Sequence, residues 1–181
     1  GRIGPPEGPA EAPVAVLALG QGTPAVLGVF GLRVPLAVKR GYHRHFRPRG
    51  NAGLTRPVVD TDVGYCVAPM EQGLRLTTGA EFAARDAPPT PAQLDRLLPA
   101  ARALFPLGDP VEAAPWLGSR PCFADSRPVI GPAPGQAGLW LAFGPGPWGP
   151  TLGPGPGPPV AELIAGPTPF CHPRPSPARP F

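Results

Sequence analysis

An apolar run near the C-terminal end, Leu-Trp-Leu-Ala-Phe at 139–143, limits the fold class more than any other part of the sequence. A short continuous apolar run bounded by glycines is typical of a strand covered on both faces of a parallel sheet. Residues 14–20 have the same character and predict a second buried strand. Glycines at 144, 146 and 149 follow the first run. Because ligands of open α/β sheets bind beyond the carboxyl ends of strands, we expect a ligand-binding turn there.

A different pattern precedes these glycines. From residue 32 to 46, and again near Val58, Tyr65 and Leu74, short β-branched, aromatic and aliphatic stretches alternate with Pro, Gly and Asn turns. This spacing predicts an antiparallel sheet. Leu74 and Leu76 are two residues apart, so they should share one buried face while the other face meets water.

One segment changes to a helical period. Leucine, alanine and phenylalanine recur at intervals of three and four between residues 92 and 105, which predicts a helix. Thr90 is expected to be the N-cap, with Pro91 at the first helical position. The helix should cover a face of the sheet.

Proline and glycine are unusually abundant. They make up 33 and 25 of the 181 residues, a content that normally indicates a low-complexity chain. However, 42% of the residues are hydrophobic and only 15% are charged, so we expect a globular core. Prolines crowd residues 150–159, and only 159–165 still predicts a helix in that segment, since proline inside a helix costs roughly 3 kcal/mol.

Arg120 stands in the sequence Gly-Ser-Arg-Pro at 118–121. Pro121 favours an extended backbone at Arg120, which projects the guanidinium from a strand at a set angle. A guanidinium group held in this way can bind a carboxylate through two parallel hydrogen bonds. A structural ion pair with Asp125 is the other interpretation, and the residue pattern leaves both open.

Charge and cysteine content argue against several function classes. The net charge of +4 at pH 7 is mild, and the basic residues between 39 and 49 lack a nucleic-acid-binding motif, so no nucleic acid partner is expected. Cysteines at 66, 122 and 171 show no metal-ligand spacing, so we expect no metal site and a reducing compartment. No apolar run reaches the roughly twenty residues of a membrane span. We expect a cytoplasmic protein, or one at the periphery of a membrane.

Several short motifs occur in a specific order. They are Lys-Arg-Gly-Tyr-His at 39–43, Pro-Val-Val-Asp at 57–60, Gly-Tyr-Cys-Val-Ala-Pro-Met at 64–70, the segment 73–82, Trp-Leu-Gly-Ser-Arg-Pro at 116–121 and Gly-Pro-Gly-Pro-Trp-Gly at 144–149. In this order they resemble the D-amino-acid oxidase family of FAD-dependent oxidoreductases. Within that family the chain is most similar to the C-terminal half of a D-amino-acid dehydrogenase.

The resemblance implies an α/β (α+β) fold, in which an incomplete FAD-binding Rossmann-like domain accompanies an antiparallel-sheet substrate domain. Residues 1–32 would end the FAD-binding portion. Residues 33–131 would form the substrate sheet with one helix, and 132–181 would return to the FAD-binding domain and end in a proline-rich tail. The implied activity is FAD-dependent oxidation of the Cα–N bond of a small D-amino acid.

The resemblance also implies site residues. Arg120 would bind the substrate carboxylate, with Tyr42 or Tyr65 as a second polar contact. The residues expected against the FAD are Gly144, Gly146, Trp148, Gly149 and Thr151. No general base or other catalytic residue is predicted, and the electron acceptor stays open.

The chain also departs from the family. Gln-Gly-Thr-Pro at 21–24 replaces the usual alanine, tryptophan and serine, and Pro145 and Pro147 stand where histidines are common. We expect no pyrophosphate-binding strand, G-x-G-x-x-G turn and helix in these residues. A non-catalytic fragment that cannot bind FAD by itself is therefore an alternative. A proline-rich interaction module at 173–180 is a third.

Overall fold

The computed structural model describes Gly8 and residues 11–166. The predicted proline-rich module at 173–180 and Cys171 lie outside these residues. The described chain divides into two compact units. Unit 1 contains the described residues up to Ala37 and those from Pro121 onward, and unit 2 is Val38–Arg120.

The strands and helices of the described residues have the following bounds. The strands are β1 (Ala15–Leu17), β2 (Ala37–Pro48), β3 (Val58–Asp60), β4 (Tyr65–Met70), β5 (Gly73–Thr77), β6 (Glu81–Phe82), β7 (Leu107–Pro110), β8 (Trp116–Cys122), β9 (Val129–Pro132) and β10 (Leu139–Phe143). The helices are α1 (Thr23–Val29), α2 (Ala92–Leu104), α3 (Gly149–Leu152) and α4 (Gly157–Ala165), with 3-10 turns at Gly20–Gly22 and Gly146–Trp148.

Unit 2 is built on a seven-stranded sheet, which confirms the predicted antiparallel sheet. Its main path runs in the order β3-β4-β5-β2-β6, and β7 and β8 also pair with β2. Strand β2 is 12 residues long, so it can pair with four other strands along its length. In the β2–β5 pair, His43 lies opposite Thr77 and His45 opposite Arg75. Strand β2 therefore organises this unit.

The core of unit 2 lies on one face of the sheet, under α2. Leu74 and Leu76 are both buried, as the alternation predicted. They form a cluster with the buried residues Phe46, Tyr65, Val67, Leu94, Ala101 and Leu107. Burying each large apolar side chain contributes roughly 1.5–3 kcal/mol. The cluster thus fixes α2 on the sheet.

Helix α2 ends one residue before its predicted end, because Phe105 has an extended backbone. The prediction that Thr90 caps the helix is wrong. Pro91 occupies the N-cap position without a side-chain cap, and the Thr90 hydroxyl donates instead to the Glu81 carboxylate. The helix begins one residue later than predicted, at Ala92, so Thr90 lies outside the N-cap position. Pro99 lies inside the helix, where sequence propensity disfavours it.

Unit 1 contains a three-stranded sheet in the order β1-β10-β9. Strand β10 is parallel to β1, with Ala15 opposite Leu139, and antiparallel to β9. Both predicted strands are therefore present. The expected cover on both faces of β10 is incomplete, since Leu139, Leu141 and Phe143 are buried whereas the intervening residues are only partly buried. Leu27 of α1 joins the buried face, and α4 contacts β9 and β10.

The proline-rich segment after β10 forms more helix than its sequence predicts. Helix α4 begins at Gly157, two residues before the predicted start, and α3 forms a separate short turn of helix. The prolines occupy the first positions of these helices, where the missing N–H would have had no intrahelical partner. Within the part of the chain that the structure describes, no helix is long and apolar enough to cross a membrane.

Candidate functional site

Arg120 lies on β8 and is half-buried. Its guanidinium lies directly against Gly41 of β2: a Cβ built on Gly41 would be 2.5 Å from Nη1 and 2.6 Å from Cζ of Arg120. These separations are shorter than any ordinary carbon contact, so only glycine leaves room for the guanidinium at position 41. The extended backbone that Pro121 favours at Arg120 is the β8 strand itself.

The neighbours of Gly41 on β2 point to the opposite face of the strand. Arg40 is fully buried there. Its guanidinium donates to the backbone oxygens of Ala84, Ala87 and Pro88 at 3.0, 2.6 and 2.9 Å. Its Nε also pairs with Oε2 of Glu81 at 2.8 Å. One buried arginine thus holds the connection between β6 and α2, with its charge neutralised by Glu81.

Tyr42 completes this network. Its hydroxyl donates to Oε2 of Glu81 at 3.0 Å and accepts from Nη2 of Arg40 at 3.1 Å and from the backbone N–H of Thr90 at 2.7 Å. A phenol has one proton to donate and two lone pairs, so these bonds use its full capacity. The pKa of Glu81 lies below its ordinary value, mainly because the Thr90 hydroxyl donates a hydrogen bond to the carboxylate. Burial opposes this shift, whereas the hydrogen bond from Tyr42 and the positive charge of Arg40 add to it.

Tyr65 is only 3% exposed and belongs to the core cluster under α2. Burial raises the pKa of its phenol above the ordinary value, and the nearby carboxylate of Asp60 adds to the shift. The structure therefore places both predicted tyrosines inside unit 2. Their contact with substrate stays a prediction.

A cluster of His43, His45, Glu112 and Trp116, which the sequence did not reveal, lies in the same unit. The Nδ1 atom of His45 makes a short contact with Oε1 of Glu112, and the His45 backbone N–H donates to Oε2 at 2.9 Å. Although burial opposes the shift, these hydrogen bonds hold the pKa of Glu112 below its ordinary value. The glutamate thereby ties the chain between β7 and β8 to β2.

The His43 ring stacks on the indole of Trp116, with the ring centroids 4.7 Å apart and the planes at 25°. Burial lowers the pKa of His43, and electrostatic interactions with His45 and Arg75 lower it further, whereas the Glu112 carboxylate opposes the shift. Trp116 is 57% exposed, and its ring also lies over Gly118, where a Cβ would be 3.3 Å from Cζ2. The period of two on β2, which puts residues 41, 43 and 45 on one face, could have brought the two histidines together, but it gives no sign of Glu112 or Trp116.

In unit 1, the predicted cofactor-binding residues follow β10. Gly144 and Gly146 have φ of 82° and 63°, a left-handed backbone that favours glycine. At Gly144 a Cβ would also lie 2.7 Å from Cδ2 of Phe123, and at Gly146 3.4 Å from Sγ of Cys122. Packing against Phe123 therefore disfavours a side chain at Gly144, whereas at Gly146 the left-handed backbone is what favours glycine. Trp148 is 61% exposed, and Thr151 lies exposed on α3.

The expectation that a G-x-G-x-x-G turn is absent is wrong as regards spacing. Gly144, Gly146 and Gly149 have this spacing and follow β10, with Gly149 as the first residue of α3. The surroundings nevertheless differ from a pyrophosphate site, because α3 is only four residues long and a 3-10 turn precedes it. The prolines at 145, 147 and 150 also remove N–H donors that could meet a phosphate.

Among the described residues, no group of three or more His, Cys, Asp or Glu side chains is placed to hold a metal ion. Asp125, the alternative partner considered for Arg120, accepts a hydrogen bond from the backbone N–H of Arg127 at 3.0 Å. That bond closes the turn around Ser126.

Comparisons with known proteins identify relatives of both units. Residues 3–163 match the model of the DAO family, described as FAD dependent oxidoreductase. The D-amino acid dehydrogenase of Paramagnetospirillum magneticum is 34% identical over 162 residues, which cover 88% of this chain and 38% of that protein. A D-amino acid dehydrogenase of Cereibacter sphaeroides is 34% identical over 170 residues, covering 87% of this chain and 36% of the relative.

Solved structures show the same architecture. The crystal structure of glycine oxidase from Geobacillus kaustophilus superposes with a TM-score of 0.74 at 25% identity, covering 97% of this chain and 47% of that one. Iminodiacetate oxidase from Chelativorans sp. BNC1 has a TM-score of 0.73 at 25% identity, covering 96% and 48%. The chain therefore spans less than half the length of these relatives.

Proposed function

Because the chain belongs to the FAD dependent oxidoreductase family, we propose that it supplies the part that binds the substrate carboxylate in an enzyme oxidising the Cα–N bond of a small D-amino acid. The relatives named D-amino acid dehydrogenase support this substrate class. Since the chain spans 38% of the first of them, the activity is proposed for a protein that also contains the remaining length of the family. FAD, when bound, supplies the acceptor for the hydride that leaves Cα.

The main observation in support of this proposal is the position of Arg120. It stands on a strand, half-buried, with its guanidinium in direct contact with a glycine. Such a guanidinium group binds a carboxylate through two parallel hydrogen bonds and fixes the orientation of the molecule as well as its charge. We assign Arg120 the role of binding and orienting the amino acid by its carboxylate. Tyr42 and Tyr65 stay weaker candidates, because the first has no hydrogen-bonding capacity left and the second is enclosed in the core.

Gly144, Gly146, Trp148, Gly149 and Thr151 are proposed to lie against the flavin ring. The support is their position directly after β10, at the carboxyl end of a strand that is parallel to β1. In this role the two left-handed glycines keep side chains away from the ring, and backbone N–H groups of the turn can stabilise negative charge that develops there. For the location, we propose a reducing compartment, cytoplasmic or at the periphery of a membrane.

The test is a fusion protein in which this chain replaces the matching C-terminal part of the Paramagnetospirillum magneticum relative. D-alanine-dependent reduction of an artificial dye is the readout. Arg120→Ala should raise KM by roughly ten- to a hundredfold while flavin stays bound, because a hydrogen bond to a charged group is worth about 1.5–3 kcal/mol. Arg56→Ala, which removes an exposed arginine from a loop of the same unit, is the matched control and should leave KM unchanged.

Two results would contradict the proposal. A fusion protein that binds flavin but reduces no dye with any D-amino acid would show that this chain does not serve the family's reaction. An Arg120→Ala protein with unchanged KM would remove Arg120 from the substrate site.

A further inference from the structure

We propose that Gly41 is a positioning residue for Arg120: its missing side chain creates the space that holds the guanidinium in the geometry for binding a carboxylate. The inference rests on the proposed function, because it concerns the same site. It adds a residue that touches neither substrate nor cofactor and acts through Arg120.

The Arg120 guanidinium lies directly against Gly41 of β2. A methyl group at position 41 would overlap Cζ and both terminal nitrogens of Arg120, with separations of 2.5 Å to Nη1 and 2.6 Å to Cζ. All the overlapping atoms belong to the end of one side chain, and none belongs to the backbone. The overlap is therefore relieved by movement of the guanidinium.

The backbone of β2 cannot move away instead, because both neighbours of Gly41 are anchored on the opposite face. Arg40 makes hydrogen bonds to three backbone oxygens and an ion pair with Glu81. The Tyr42 hydroxyl makes three hydrogen bonds of its own. These contacts on either side of position 41 fix the strand against which the guanidinium lies.

Gly73 of the same unit shows what a purely structural glycine looks like. It has a left-handed φ of 128°, and a Cβ there would lie 2.7 Å from the backbone oxygen of Phe46. A side chain at 73 must strain the fold, whereas one at 41 need only displace a flexible side-chain end. We therefore expect a side chain at position 73 to lower the stability of the fold, and a side chain at position 41 to weaken substrate binding.

The experiment compares Gly41→Ala with Gly53→Ala, a control at a loop glycine whose Cβ would meet nothing within 4 Å. In the fusion protein, Gly41→Ala should raise KM for D-alanine roughly tenfold with kcat within about twofold, the signature of lost binding that is equal in ground and transition states. In the Arg120→Ala background the same change should have no further effect on KM. Gly53→Ala should change neither constant.

A second readout uses the isolated chain and needs no activity. The Nε–H NMR signal of Arg120, assigned by its loss in Arg120→Lys, should shift in Gly41→Ala and stay in place in Gly53→Ala. The thermal unfolding midpoints of the two alanine variants should agree within about two degrees.

The outcomes separate the inference from the proposed function. Unchanged KM in Arg120→Ala would overturn the role of Arg120, and the NMR signal would then decide whether Gly41 positions it. A raised KM in Arg120→Ala with wild-type KM in Gly41→Ala would overturn the role of Gly41 alone. A Gly41→Ala effect that persists in the Arg120→Ala background, or a large loss of thermal stability, would show that Gly41 is structural.

Discussion

Replacing Tyr42 by phenylalanine removes a single oxygen from the centre of the Arg40 network. Phenylalanine keeps the ring in place, so no cavity forms, and the effect comes from the three lost hydrogen bonds. Arg40 retains three backbone acceptors and the Glu81 carboxylate, so its loss is modest. The Thr90 N–H, however, loses its acceptor. Thr90 is exposed, so water can replace this acceptor, and the three lost hydrogen bonds together should cost about 1–3 kcal/mol.

Amide hydrogen exchange on the isolated chain measures this loss where it occurs. The Thr90 N–H should exchange faster in Tyr42→Phe. The core amides of β4 and β5 exchange only when the unit unfolds, so their protection should fall by the decrease in the free energy of global unfolding. Amides of β10, in unit 1, serve as the internal reference. Unchanged exchange at Thr90 would refute the reasoning. If KM for D-alanine also rose in the fusion protein, Tyr42 would regain its predicted place as a substrate contact.

Two further predictions concern His43 and the cofactor. Trp116→Ala should raise the pKa of His43 towards its ordinary value of about 6.5, since burial is the main cause of the depression. A histidine whose pKa is lower in the folded state contributes stability above its unfolded pKa, and this stability is lost as the pH falls through the folded pKa. Trp116→Ala should therefore lose less stability in acid than the unmodified protein. NMR titration of the His43 ring checks it, with Trp148→Ala as the control, and a pKa that stays low would contradict the burial argument. The isolated chain should bind FAD weakly or not at all, because α3 is four residues long and prolines remove donors from the turn before it. Flavin absorbance after gel filtration tests this, and a stoichiometric yellow complex would show that the turn holds the cofactor without the rest of the family's length.

Features with a local cause were predictable from the sequence. The alternation at Leu74 and Leu76 determines which face of β5 is buried, because successive side chains of a strand point to opposite faces. The three-and-four spacing after residue 91 determines α2, and the apolar run at 139–143 determines β10. The order of short motifs along the chain was sufficient to indicate the family, which the match over residues 3–163 confirms.

Only the tertiary structure decided which side chains meet. Thr90 was expected to cap α2, but the helix begins one residue later than predicted, and β6 brings the Glu81 carboxylate to the Thr90 hydroxyl, which donates to it. His45 and Glu112 are 67 residues apart, and neither their spacing nor their residue types indicates that they form a pair. Gly41 and Arg120 meet because β8 pairs with β2, a register that depends on the packing of the whole sheet. Sequence periodicity specifies the face on which a side chain lies, whereas strand pairing across long chain separations specifies its neighbour on that face.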